Sequence, residues 1–178
     1  IVQLSDLHGA VFGRNNRRLL QAVERQNPDL VLVTGDMYTN DSNGGEQTAR
    51  DLLAALAKTY AVYYVCGEHD YDYNSDASFT DALTQAGVNV LHYRDEIVQI
   101  RGTALHLYGI NNVNFSDTFD LEKAFALDAQ RFSILLAHIP NFEKYAAFGV
   151  DLSLCGDTHG GMFRLPGIGA VYDGETFF

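Results

Sequence analysis

Basic residues are scarce in this sequence. The chain has 12 lysine and arginine residues against 23 aspartate and glutamate residues, so its formal net charge is −11 and its pI is near 4.7. Such a chain offers no basic stripe that could neutralise a phosphate backbone. We therefore expect no binding to long nucleic acid.

Cysteines and long apolar runs are also scarce. Cys66 and Cys155 are too few for a disulfide scaffold, and their spacing matches no zinc motif. Each precedes a glycine at the end of an apolar run, which predicts two small buried residues. No stretch reaches the about 18 apolar residues that span a membrane. We expect membrane association only through a segment outside this chain, and the sequence indicates neither a localisation nor an oligomeric state.

The remaining composition is typical of a globular domain. A length of 178 residues with 47% hydrophobic residues supports a core of ordinary size. We expect residues 1–178 to form a single domain. The chain opens inside a predicted strand and stops without a predicted cap, so we expect truncation at either end.

Strands and helices alternate in the first half of the chain. The apolar spacing predicts strands at residues 1–4, 30–34 and 61–65, and helices at residues 15–26, 48–58 and 76–86. This order predicts an α/β fold with a largely parallel sheet and right-handed crossovers.

The rhythm changes after Gly87. Strands are predicted at residues 88–91, 97–100 and 104–108, with a tight connection at residues 101–103. Further strands at residues 133–137 and 152–154 flank a helix at residues 142–148. The pattern indicates either a second sheet or an antiparallel extension of the first.

Acidic residues and histidines follow nearly every predicted strand. Because the carboxyl ends of parallel strands meet at one edge of a sheet, we expect these side chains to converge. Asp6 and His8 are two residues apart, so an extended backbone would point both to one side. The residues in question are Asp6, His8, Asp36, Glu68, His69, Asp70, His138, Asp157 and His159.

Three of these clusters are preceded by glycine. Gly35, Gly67 and Gly156 permit sharp turns and close approach of the backbone, which helps to place a carboxylate at a metal ion. One such cluster alone is more typical of a turn or a cap. Five clusters at five strand ends favour a metal site, and mixed carboxylate and imidazole ligands suit Mn²⁺, Fe, Zn²⁺ or Mg²⁺.

Five short motifs in this order resemble those of the calcineurin-like metallophosphoesterases. They are SDLH, TGDM, GEHD, AHIP and GDTHGG, and the segments FGRNNRRLL and NPDLVLVTGD resemble a bacterial group of single-domain members that are often membrane-anchored. The resemblance implies a two-sheet αββα sandwich, two divalent metal ions and a small phosphorylated substrate. It implies hydrolysis of phosphoric esters, either diesters or monoesters, by a hydroxide that bridges the ions.

The resemblance also implies a role for each matching residue. Asp36 would bridge the two ions, and His138 would bind the second ion. His69 would be the general acid that protonates the leaving oxygen, and Asp70 would orient it. The implied ligands of the first ion are Asp6, His8, Asp36 and His159.

Two positions depart from the family pattern. Glu68 stands where the family has asparagine, and Asp157 stands where it has histidine, and both positions belong to the second ion. With two divalent ions and one hydroxide, the usual two carboxylates give a net charge of +1, whereas four give −1. At 4 Å and an effective dielectric constant of 20, each unit of charge is worth roughly 4 kcal/mol toward a phosphate.

Three consequences of the extra carboxylates stay open. The site prefers oxygen-loving ions, with Mn²⁺ the first expectation, or it prefers phosphodiesters over dianionic monoesters, or it holds the second ion weakly. A different class is also open: a catalytically weakened metal-binding scaffold or sensor on the same fold.

Other polar residues are less informative. His92 and His106 have no acidic partner at motif spacing and are interpreted as structural. Arg14, Asn15 and Asn16 either line the substrate mouth or cap the following helix.

Overall fold

A computed structural model describes residues 1–39, 44–70, 78–111, 120–161 and 163–172. The first half alternates strands and helices as the apolar pattern predicts. In chain order the elements are β1 (Val2–Leu4), α1 (Arg17–Gln26), β2 (Leu30–Val33), α2 (Gly45–Ala57), β3 (Ala61–Tyr64), α3 (Ser78–Gln85), β4 (Asn89–Val90), β5 (Arg94–Ile100), β6 (Thr103–Gly109), α4 (Leu121–Ala124), β7 (Phe132–Leu136), α5 (Phe142–Phe148), β8 (Leu152–Leu154), β9 (Phe163–Leu165) and β10 (Gly169–Tyr172).

The first sheet has the strand order β1-β2-β3-β4, and all of its neighbours are parallel. All four residues of β2 are buried, as expected for an uninterrupted apolar strand covered on both faces. β4, the strand after Gly87, pairs with β3 and therefore belongs to this sheet. The predicted start of the third helix, at residues 76–77, lies outside the described residues.

The second sheet has the strand order β5-β6-β7-β8. Strands β5 and β6 form an antiparallel hairpin, and Arg101 and Gly102 at its turn have φ of 49° and 84°, as a two-residue primed turn requires. β6, β7 and β8 are parallel. A separate second sheet is thus confirmed. β5 begins at Arg94, earlier than predicted, because its charged first residues still pair with Leu107, Tyr108 and Gly109.

The two sheets pack face to face. Leu30 and Leu32 of β2 contact an apolar layer that includes Leu107 and Ile134 of the second sheet. Val31 and Val33 point to the opposite face, which α1, α2 and α3 cover. The outer face of the second sheet is covered by α4 and α5. The predicted αββα sandwich is confirmed.

The remaining features are peripheral. β9 and β10 form a separate antiparallel hairpin that the glycine-rich sequence did not predict. Cys66 is buried as predicted, and burial raises the pKa of its thiol to about 12. Cys155 is half-buried. Among the described residues, no helix combines the length and the hydropathy needed to span a membrane.

Candidate metal centre

The sequence-predicted site residues meet at the carboxyl ends of strands from both sheets. β1, β2 and β3 of the first sheet and β7 and β8 of the second sheet each end directly before a motif. Gln3 on β1 donates a hydrogen bond to the carbonyl oxygen of Cys155, which joins the two sheets beside the site, 2.9 Å between the atoms. The predicted convergence is therefore present.

The backbone at this edge is strained. Asp6, His8 and Asp36 have φ of 56°, 47° and 52°, in the left-handed region that residues with a Cβ rarely adopt. Asp157 and His159, which follow β8 of the second sheet, also have left-handed backbones, with φ of 70° and 52°. The prediction that Asp6 and His8 extend like a strand is wrong. They reach one cluster because the chain turns at both positions.

Backbone hydrogen bonds hold the turns against one another. The amide of Asp6 donates to the carbonyl oxygen of Gly35 (3.1 Å), and the amide of His8 donates to that of Asp36 (2.9 Å). The Asp157 amide donates to Oδ1 of Asp6 across the two sheets, at 2.9 Å. These backbone contacts fix the positions of the carboxylates at the site.

The three motif glycines leave room for the carboxylates. A Cβ on Gly67 would lie 2.1 Å from Oδ1 of Asp36. A Cβ on Gly156 would lie 2.8 Å from Oδ2 of Asp6, and one on Gly35 would lie 2.9 Å from Nδ1 of His138. Real Cβ atoms do not approach so closely, so only glycine permits these packings.

Asp36 is the centre of the cluster. Its side chain is buried, and its Oδ2 lies 3.3 Å from Nε2 of His138, 3.6 Å from Nε2 of His8 and 3.9 Å from Nε2 of His69. Its Oδ1 accepts a hydrogen bond from the amide of His69 at 2.9 Å. Burial acts to raise the pKa of Asp36, but the hydrogen bonds and charges of His138 and His69 outweigh it and lower the pKa.

Three overlapping groups have ligand atoms within 4.8 Å of one another. Asp6, His8 and Asp36 each belong to two of the groups, so the groups form one continuous site. The three groups are Asp6 with His8 and His159, His8 with Asp36 and His69, and Asp6 with Asp36 and His138. Carboxylate oxygens and imidazole nitrogens at this spacing fit divalent cations.

The two departing carboxylates lie at the rim of these groups. Oε1 of Glu68 is 3.7 Å from Nε2 of His69, and both side chains are about half exposed. Asp157 is half-buried, and its pKa is raised, first by burial and then by the negative charges of Glu68 and two other carboxylates. Neither residue belongs to a metal-capable group among the described residues.

The carboxylate of Asp70 is buried and accepts three hydrogen bonds. Its Oδ1 accepts from the amide of Tyr38 at 3.0 Å, and its Oδ2 accepts from Oη of Tyr64 at 2.8 Å and from the amide of Gly67. Within the described part of the chain, no hydrogen bond joins Asp70 to the His69 ring. The buried carboxylate ties the motif loop to β3 and to the loop after β2, and its role in orienting His69 stays a prediction.

Several supporting residues were missed from the sequence. Thr39 shares a hydrogen bond with Nδ1 of His8 at 3.0 Å, and the carbonyl oxygen of Thr34 accepts from Nδ1 of His138 at 2.7 Å. A backbone carbonyl leaves no signal in a sequence. The Thr39 hydroxyl lies three residues after Asp36 in a loop, where spacing alone does not distinguish it from solvent-facing residues.

His106 is structural as predicted, although it does have an acidic partner. Its Nε2 lies 2.6 Å from Oδ2 of Asp95 across the hairpin, and its Nδ1 shares a hydrogen bond with Oη of Tyr108. His92 packs edge-on against Tyr93. Neither histidine belongs to the metal-capable groups of the described residues.

A family model described as calcineurin-like phosphoesterase matches residues 1–161. The chain belongs to this family. The centre described above therefore occupies the motif positions of a calcineurin-like phosphoesterase, and the sandwich is the fold of that family.

The phosphoesterase domain is similar to several curated proteins. It is 32% identical to an uncharacterized metallophosphoesterase of Aquifex aeolicus over 94% of this chain and 65% of the relative. It is 27% identical to the phosphodiesterase YaeI of Escherichia coli, over 97% of this chain and 64% of that protein. A bovine transmembrane protein with a metallophosphoesterase domain is 32% identical over 91% of this chain and 40% of that protein. The chain thus spans less than two thirds of these relatives.

A solved structure shares the fold. The phosphopantetheinyl hydrolase PptH of Mycobacterium tuberculosis superposes with a TM-score of 0.51 at 17% identity, over 78% of this chain and 67% of that chain. At this identity the likeness extends to the fold alone.

Proposed function

We propose that residues 1–178 form one domain that hydrolyses small phosphoric esters with the help of two divalent metal ions. The observation that carries the proposal is the overlap of three metal-capable groups around Asp36. Oδ2 of this buried carboxylate lies within 3.9 Å of three imidazole nitrogens. Such a set fits two adjacent cations better than it fits one.

The donors divide between the two ions by position. Asp6, His8 and His159 would hold the first ion together with Asp36. Asp36 would also hold the second ion with His138, and Glu68 and Asp157 would complete the ligands there. When bound, two such ions polarise phosphoryl oxygens and lower the pKa of a shared water, which supplies the hydroxide nucleophile.

His69 would be the general acid. Its side chain is 45% exposed, so its ring is accessible to a substrate. Its backbone is anchored by the hydrogen bond from its amide to Asp36, and its Nε2, which would carry the transferred proton, lies 3.7 Å from Oε1 of Glu68. From there the proton can pass to the leaving oxygen of the ester.

The charge at the rim favours particular metals and substrates. Glu68 and Asp157 add two carboxylates to a site that already holds Asp6 and Asp36. Oxygen donors favour Mn²⁺ first, with Fe, Mg²⁺ and Zn²⁺ as the other candidates. Negative charge at the rim also repels a dianionic monoester more than a monoanionic diester. The relative YaeI is named a phosphodiesterase, in keeping with this preference.

An assay of ester hydrolysis tests the proposal. We expect Mn²⁺ to restore turnover of a soluble phosphodiester to chelator-treated protein, and we expect Asp36→Asn to abolish it. The competing function, a metal-binding scaffold or sensor, predicts metal uptake without turnover of any diester or monoester. The presence of His69 at the general-acid position, beside the metal ligands, favours hydrolysis over the scaffold function.

A further inference from the structure

Residues 10–18, which we call the rim segment, combine exposed apolar and basic side chains. Val11 is 59% exposed and Phe12 is 42% exposed. Arg14, Arg17 and Arg18 are also exposed, and the segment contains no acidic residue. In a chain with a formal charge of −11, three of the 12 basic residues thus lie within five positions. The rim segment is a local positive patch with an apolar tip.

Hydrogen bonds hold this tip in place. The amide of Phe12 donates to Oδ1 of Asn16 at 2.8 Å, and the amide of Arg18 donates to the carbonyl oxygen of Phe12 at 3.0 Å. Asn16 is buried, and both Asn15 and Asn16 have positive φ, 54° and 57°. Asn16 therefore braces the segment, and its side chain does not cap α1.

The rim segment lies beside the metal centre. It begins two residues after His8, whose ring stacks on that of His159 with 5.1 Å between the ring centroids. A second exposed apolar tip, with Leu165 and Ile168 that are 47% and 74% exposed, follows His159 in the chain.

We propose that the rim segment binds the anionic surface of a lipid membrane. Val11 and Phe12 would enter the interface, and the three arginines would contact anionic headgroups. Apolar residues flanked by arginine are the composition of membrane-surface segments. A nucleic acid or a soluble polyanion would use the arginines but would leave Val11 and Phe12 in water. The proposal does not depend on the hydrolytic activity of the centre.

The negative charge of the whole chain does not prevent such binding. At an ionic strength of 0.1 M, charges more than about 10 Å from the surface are largely screened. Within the rim segment itself, every charged side chain is positive. Each arginine near an anionic surface contributes roughly 1 kcal/mol, or about a fivefold change in partition.

A single tryptophan reports whether the tip enters lipid. The chain has no tryptophan, so Phe12→Trp introduces one emission probe. With vesicles of phosphatidylcholine and about 40% phosphatidylglycerol, we expect a blue shift and quenching by lipids brominated in their acyl chains. Ile97→Trp is the matched control, since Ile97 is 46% exposed on β5, and its emission should not change. Equal quenching of both probes, or of neither, would overturn the proposal.

Paired charge variants separate the local patch from net charge. Arg17→Gln with Arg18→Gln should weaken vesicle partition about 30-fold, at roughly 1 kcal/mol for each arginine. Arg25→Gln with Lys58→Gln removes the same charge from exposed positions at the far ends of α1 and α2, and partition should stay within about twofold. An equal loss in both pairs would refute a role for the rim segment.

Two further readouts identify the partner. All four variants should hydrolyse a water-soluble ester at the wild-type rate, so that failure of membrane binding and failure of catalysis are told apart. Soluble heparin should leave the emission of the Phe12→Trp protein unshifted. A blue shift with heparin equal to that with vesicles would show that the segment binds a polyanion rather than a membrane.

Discussion

Asp36 and His138 come from different sheets, yet Oδ2 of Asp36 lies 3.3 Å from Nε2 of His138. Burial acts to lower the pKa of His138, but the hydrogen bond and the charge of Asp36, with the carbonyl oxygen of Thr34, raise it to about 9. The pair exists only because the two sheets pack face to face. The metal centre is therefore a product of the whole sandwich rather than of one motif.

Replacing His69 tests the general acid. His69→Ala should reduce hydrolysis of esters with alkyl leaving groups by roughly 10²-fold to 10⁴-fold, because these leaving oxygens need a proton. Esters of p-nitrophenol should lose much less, since that leaving group departs as an anion. The measurement is turnover across a series of leaving groups, with the metal content checked in parallel. A uniform loss across the series, or a loss of bound metal, would contradict the assigned role.

Restoring the family residues at the rim should change the metal preference. Glu68→Asn combined with Asp157→His replaces two oxygen donors, so the affinity for Zn²⁺ relative to Mn²⁺ should rise at least about tenfold. Turnover of monoesters relative to diesters should rise as well, because two negative charges are removed. Competitive titration with both metals measures the first effect. The control is Glu24→Asn at an exposed position of α1. Full occupancy of both positions by zinc in the wild-type protein would show that the preference for oxygen-loving ions is mistaken.

Metal binding should depend on the absence of a side chain at Gly67. In Gly67→Ala the new Cβ would lie 2.1 Å from Oδ1 of Asp36 and 2.4 Å from its backbone nitrogen, so that carboxylate must move. We expect metal affinity to fall roughly 10-fold to 100-fold, which is the usual loss when residues that hold a metal ligand in place are changed. Gly102→Asn is the control, because the hairpin turn has open space and asparagine tolerates positive φ. Calorimetric titration with Mn²⁺ measures both, and an unchanged affinity in Gly67→Ala would argue against the packing described.

Asp151 should make part of the stability dependent on pH. Its Oδ2 accepts from the amide and from Oγ of Ser133, at 2.7 and 2.8 Å, and the bond from this amide is the first cause of its lowered pKa. A lowered pKa in the folded state stabilises the fold above the ordinary value of 3.8, and this contribution is lost as the pH falls through the folded-state pKa.

Urea unfolding at about pH 6 and about pH 3 measures this contribution. Asp151→Asn should be less stable than the wild type at pH 6, and it should lose less free energy of unfolding on acidification. Asp81→Asn, at an exposed position of α3, should keep the wild-type dependence. The same acid sensitivity in Asp151→Asn as in the wild type would disprove the role of this carboxylate.

Much of the fold and of the centre could be predicted because both depend on local pattern. The apolar run of β2 and the acids behind it indicate a buried strand that ends at a site. Three details could not be predicted. The left-handed turns at Asp6 and His8 carry no periodic signal, and the amide of Tyr38 that binds Asp70 comes from the loop after β2. Asp95 meets His106 only after the hairpin has set its register.

Two metal ions should lie side by side around Asp36, and a crystal structure of the Mn²⁺-loaded protein would show them. Data collected on both sides of the manganese absorption edge should show two anomalous peaks about 3.5 to 4 Å apart. Asp36 should lie between the peaks, with His159 at one and His138 at the other. A single peak, or none, in protein that hydrolyses esters would refute the two-metal centre.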